Sequence, residues 1–154
     1  MPQLVKGGKH VFGWSKVGEQ GIIMIPSEAF AEYRLITGEN VILMSGSKTS
    51  GGYGLTKRES LRESQLSILL DRCPQLAEFK IPEGTTIEVE GRVFSWVTMG
   101  DESITVPIGT LAQFGIKPGD SLLVVRGSGL ALGFIVRGPI VQEARRHSEL
   151  ETYE

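Results

Sequence analysis

Cysteine is nearly absent from this 154-residue chain: Cys73 stands alone. No internal disulfide can form, and a reducing compartment is the expectation. Histidine occurs only at His10 and His147, and neither falls into metal-ligand spacing with the other or with Cys73. No G-x-S-x-G nucleophile turn occurs, so a protein that is not an enzyme and carries no cofactor is expected. Long apolar runs are missing too. The longest uncharged one, "GSGLALGFIV" at 127–136, is too short to span a bilayer, and "MPQLVKGGKH" at the start lacks the apolar core of a signal peptide. A cytoplasmic chain with no membrane partner is the expectation. An excess of positive charge is also lacking. Sixteen Lys and Arg against eighteen Asp and Glu give a net charge of −2, so any contact with nucleic acid has to come from a local basic patch.

Glycine, by contrast, is plentiful. Twenty glycines favour tight turns and short strands over long helices, in a chain long enough to bury one core. The turns punctuate a repeat. At an offset of 81, Pro26 meets Pro107, Ala31 meets Ala112, Tyr33 meets Phe114 and Gly38 meets Gly119, while "VILM" at 41–44 meets "LLVV" at 122–125. Upstream the offset is 82, which aligns "VFGWSKVGEQ" with "VFSWVTMGDE" and pairs Trp14 with Trp96. Downstream it is 79, with Gly54 on Gly133 and Arg58 on Arg137. The slips fall at expected turns, so the chain reads as a duplication.

Each copy predicts strand, strand, short helix, strand, strand. The second strand, 22–25 or 103–106, ends at a proline suited to a helix start. Gly115 suits the left-handed residue that closes the second copy's helix; Arg34 in the first copy makes a less ideal end. Repeat 1 spans 9–58 and repeat 2 spans 85–137. Between them, 59–80 reads as a helical segment with Leu66, Leu69, Leu70, Cys73 and Ala77 on one face, a Ser60/Glu63 capping box at its start and a break at Pro74. Residues 138–154 read as a helix from Pro139 that frays into an acidic tail. "SGSKTSGGYG" at 45–54 is glycine-rich but leads into a strand, so a mobile hairpin loop is expected rather than a phosphate cradle. Trp14 and Trp96, at matching places in alternating strands, are expected to pack rather than to stack on a ligand.

A single copy cannot cover its own strand edges, whereas two copies about a pseudo-twofold axis can share one core. The stretches "KVGEQGIIMIPSEAFAEYRLITGENVILM" and "TMGDESITVPIGTLAQFGIKPGDSLLVV" resemble the AbrB, MazE and SpoVT family of DNA-binding regulators, over about two thirds of the chain. The resemblance implies a mainly β fold: a pseudo-twofold, swapped-hairpin AbrB-like barrel made by two internal repeats, plus an inter-repeat helix and a C-terminal helix. Double-psi barrels carry a similar signature and are the alternative topology.

In that family, arginines that bind DNA typically follow the glycine before the proline-ending strand and lie on the short helix. The positions here are Ile22 and Ser103, and Phe30, Ala31, Leu111 and Ala112, none of them basic. Lys16 matches a basic position in the loop ahead of that strand; its counterpart is Thr98. Residues 9–58 carry six bases and four acids on that count, net +2, whereas 59–90 carry three bases and seven acids, net −4. Two readings follow. One is a transcription regulator with a weakened basic face, which meets double-stranded DNA through Lys9, Lys16, Arg34 and Lys48. The other is a non-catalytic interaction or oligomerisation barrel that has lost DNA binding, and that meets itself or a protein partner through Leu66, Leu69 and Leu70.

Overall fold

Alternating apolar residues, proline-ended strands and glycine turns organise both copies alike in the computed structural model, which describes residues 10–127 and 131–154. The first copy forms β1 (Val11–Lys16), β2 (Ile22–Met24), α1 (Ser27–Glu32), β3 (Asn40–Ser45) and β4 (Tyr53–Thr56). Then come α2 (Arg58–Arg62), α3 (Ser67–Arg72), α4 (Pro74–Ala77) and β5 (Ile87–Val89). The second copy supplies β6 (Arg92–Thr98), β7 (Ser103–Thr105), α5 (Ile108–Gln113), β8 (Ser121–Arg126) and β9 (Leu132–Ile135); α6 (Pro139–Ala144) and β10 (Thr152–Tyr153) end the chain. Among the described residues, no helix is long and apolar enough to cross a membrane.

The copies trade strands. β1 of the first pairs antiparallel with β8 of the second, Trp14 opposite Leu123, and β6 of the second pairs with β3 of the first, Trp96 opposite Ile42. β2 pairs with β7 and β4 with β9, so these ladders also join one copy to the other. Turn contacts recur at equivalent positions. Gly119 N donates to Val17 O at 2.8 Å, and Gly38 N donates to Met99 O at 2.7 Å. Lys117 N donates to the Asp120 carboxylate at 3.0 Å and Ile36 N to that of Glu39 at 2.6 Å, so the acidic residue after each turn glycine closes the same turn. Gly115 and Arg34 are both left-handed, at φ 77° and 54°. That conformation costs a side-chain-bearing residue roughly 1–2 kcal/mol, so the first copy's helix does have the less favourable end.

Strand order in the large sheet is β10-β1-β8-β9-β4-β3-β6-β5, with β2-β7 as a separate ladder. Among the described residues the expected closed barrel is therefore absent: the sheet ends at β10 and β5 instead of joining edge to edge. The cause lies in the segments after each copy. The chain leaving the first copy returns as β5 on the outer edge of β6, and the tail lays β10 parallel along the outer edge of β1. Both edges that closure would have joined are already paired.

Sheet residues face apolar partners on both sides, which explains the unbroken runs "VILM" and "LLVV". Ile23, Leu43, Tyr53, Ile104, Val124 and Phe134 belong to the main core, which both copies fill. Ile42, Met44 and Phe94 point the other way, toward α2–α4, while Leu123, Val125 and Ile135 pack against α6 through Val141 and Ala144.

Three local expectations need correction. The inter-repeat segment is three short helices, not one. Ser64 Oγ donates to Leu61 O and accepts from Leu66 N, a side-chain turn that ends α2, and Ser60 lies inside α2 and makes no capping box. The 46–52 loop is pinned rather than loose. Gly52 N donates to Phe114 O, Val136 N to Ser50 O, and the Arg137 guanidinium to Lys48 O. Nor does the tail fray, since Trp14 N donates to Glu151 O at 2.8 Å. A Cβ on Gly13 would sit 2.8 Å from Glu151 O and 3.0 Å from the Tyr153 ring, so the glycine makes room for the docked tail. Its counterpart in the second copy is Ser95.

Candidate interaction face

The β2–β7 ladder lies where the two copies meet, and it presents one face outward. Ile22 opposes Thr105 and Met24 opposes Ser103 on that face, while Ile23 and Ile104 turn into the core. Such alternation leaves Ile22 41% exposed and Ile23 fully buried. Ile108, at the start of α5, is 42% exposed, and its Cδ1 adjoins Gly21, one residue before Ile22. Beside the ladder a groove of about 640 Å³ is lined by Lys16, Glu19, Ile22, Met24, Pro118 and Glu154, among others. On the opposite flank Thr37 Oγ1 donates to Asp101 at 2.9 Å, next to the exposed Ile36.

The rim of this face is acidic. Glu19 comes from the β1–β2 turn, Asp101 and Glu102 from the β6–β7 turn, and Glu28 from the first turn of α1. The tail adds Glu151 and Glu154. Three of these converge: Ser27 Oγ donates to Glu102 at 2.5 Å, and Tyr153 is held above its ordinary pKa first by burial and then by the charges of Glu151, Glu28 and Glu102. The bases at hand are occupied, Lys16 by Glu154 at 3.9 Å and Lys117 by Asp120 at 3.1 Å.

The proposed DNA-contact residues do not assemble into a patch. Lys9 lies outside the described residues. Lys16 is on the acidic face just described. Arg34 lines a different groove with Glu32, Lys57 and Arg126. Lys48 is exposed in the pinned loop, where its carbonyl receives Arg137. Other cations are also committed. Arg126 makes a two-pronged bond to Glu32 at 2.5 and 2.6 Å, which holds that carboxyl below its usual range, and Lys57 pairs with Glu39 at 3.3 Å. Sequence separations as large as the 94 residues between Glu32 and Arg126 hide this neutralisation from a linear count.

Leu69 and Leu70, offered above as a partner surface, are buried against the chain's own sheet with Phe94 and Ile42, and Leu66 packs on the same cluster. That apolar face already has its cover. The tryptophans are both half-buried: Trp96 Nε1 donates to Ile81 O at 2.8 Å and its ring meets Phe79, while Trp14 lines a groove of about 590 Å³ with His147 and Leu150. Among the described residues, no three His, Cys, Asp or Glu side chains gather as metal ligands.

His147 ties the tail. Its Nδ1 lies 2.8 Å from Glu149 Oε1, and its Nε2 lies 3.5 Å from Glu143 Oε1 on α6. The bond to Glu149, seconded by Glu143, raises its pKa above 6.5. A raised folded-state value means that the contribution is complete below pH 6.5 and is lost as pH climbs through the folded-state pKa. An NMR titration is expected to place the His147 midpoint above 6.5, with Trp14 fluorescence changing over the same window and the change absent in His147→Gln. A midpoint at or below 6.5 would contradict the contact.

No family model, curated protein or solved structure matches this chain.

Proposed function

We propose that this chain is a non-catalytic interaction module, built as a single-chain version of an AbrB-like swapped-hairpin pair whose nucleic-acid face has been replaced. Support for the swapped-hairpin part comes from the traded strands, β1 with β8 and β6 with β3. The loss of DNA binding rests on one observation: the outward β2–β7 face, where the resemblance places DNA-binding arginines, carries Ile22 and Ser103, with Glu19 in the groove beside Ile22 and Glu102 next to Ser103. Phosphate neutralisation supplies most of the affinity in such complexes, and acidic groups at that place oppose it.

A DNA-binding regulator working through Lys16, Arg34 and Lys48 is the second reading, favoured by the same strand exchange and by the exposure of those three side chains. Anisotropy titration with mixed-sequence duplex DNA separates the two. The interaction module is expected to show no saturable binding at ~50 mM salt, where phosphate contacts are strongest. The regulator is expected to bind, with affinity falling linearly in log salt and a shallower slope in Lys16→Gln/Arg34→Gln.

A further inference from the structure

We infer that the β2–β7 face docks a cationic amphipathic segment of a protein partner, with basic side chains on the carboxylate rim and apolar ones on Ile22, Ile108 and Met24. The inference rests on the interaction-module reading and adds the chemistry of the partner. Two features carry it together. Apolar atoms lie uncovered at the centre: Ile22 is 41% exposed, Ile108 is 42% exposed with its Cδ1 by Gly21, and the groove of about 640 Å³ beside Ile22 continues the apolar surface over Met24 and Pro118. Acidic charge predominates around them, from Glu19, Glu28, Asp101, Glu102 and Glu151, while Lys16 in the groove is paired with Glu154 and Lys117 with Asp120.

A second copy of the same face fits badly, because joining two such rims sets carboxylates against carboxylates. A nucleic acid is repelled by the same charges. A segment with Lys or Arg spaced by Leu, Ile or Phe satisfies both features: an apolar anchor at the centre and ion pairs at the rim, the usual layout of a protein interface. The rim also sets the rate of encounter, so binding should slow as salt rises.

The test uses the full chain and a dye-labelled peptide of about twelve residues with Lys and Leu spaced by Ser, followed by anisotropy. Binding in the micromolar range is expected, weakened roughly tenfold or more by Glu19→Lys/Glu28→Lys and separately by Ile22→Ser. Glu63→Lys/Glu88→Lys, an equal change in net charge at exposed positions just after α2 and on β5, should leave it unchanged. A peptide of Lys and Ser alone should bind more weakly than the one with Leu. Equal losses in the two charge-reversed variants, or equal affinity for the two peptides, would overturn the assignment, since net charge alone would then account for the binding. Absence of binding would also overturn it while leaving the interaction-module reading in place, whereas salt-dependent capture of duplex DNA would overturn both.

Discussion

Gly52→Ala is expected to destabilise the fold by about 4 kcal/mol or more, at the upper end for a one-carbon change. Two separate difficulties meet at this residue. Its backbone is left-handed at φ 67°, which costs a residue with a side chain roughly 1–2 kcal/mol. Its Cβ would also lie 1.9 Å from Phe134 O and 3.0 Å from Phe134 C, and backbone of a central strand cannot rotate away as a side-chain tip can. Relief requires β4 and β9 to part where Tyr53 faces Phe134, a pair of fully buried rings stacked at 4.9 Å. That separation forfeits a ring contact of about 0.5–1.5 kcal/mol and loosens the hydrogen bond from Gly52 N to Phe114 O. Gly119→Ala is the control. It shares the left-handed backbone, at φ 91°, but an added Cβ there meets nothing within 4 Å, so only the conformational cost of about 1–2 kcal/mol is expected. Urea unfolding of both variants reads the difference. Similar losses would mean that the close approach to Phe134 does not exist in solution.

Much of this architecture is legible in the residues. Pro26 and Pro107 each cap a strand and open a helix, Gly38 and Gly119 each make a left-handed turn, and Glu39 and Asp120 each close it. What periodicity leaves open is partner choice. An unbroken run such as "VILM" says that the strand is covered on both faces, but pairing with its own copy's first strand or with the other copy's would bury the same side chains. The tail strand was readable only indirectly, through Gly13 standing where the second copy has Ser95. The hairpin of β5 and β6 had a plainer sign in "EVEGR", since Glu90 and Gly91 are both left-handed, at φ 51° and 83°, as a tight two-residue turn requires. The candidate face was the least legible feature. Its carboxylates come from turns, a helix start and the tail, and only strand exchange brings them round Ile22.

Chain division at the inter-repeat segment tests that exchange directly. With the break placed between Lys80 and Ile81, each fragment alone is expected to lack a cooperative unfolding transition, and an equimolar mixture is expected to regain one. Among the described residues, fragment 1–80 keeps the β3–β4 hairpin and its short helices, and 81–154 keeps β5–β6 and β8–β9. Hairpins of this size are marginal in water without further strands. All of β1–β8, β3–β6, β2–β7 and β4–β9 join one fragment to the other. The main core divides likewise, with Ile23, Leu43 and Tyr53 on one side and Ile104, Val124 and Phe134 on the other, so neither piece can bury its share alone. Once the covalent link is cut, folding becomes an association, and each tenfold dilution of the mixture should lower its stability by about 1.4 kcal/mol. Circular dichroism at several concentrations reads both effects. Cooperative, concentration-independent unfolding of either fragment by itself would show that its strands find partners within their own copy. The β2–β7 face, which exists only where the copies meet, would then have no basis.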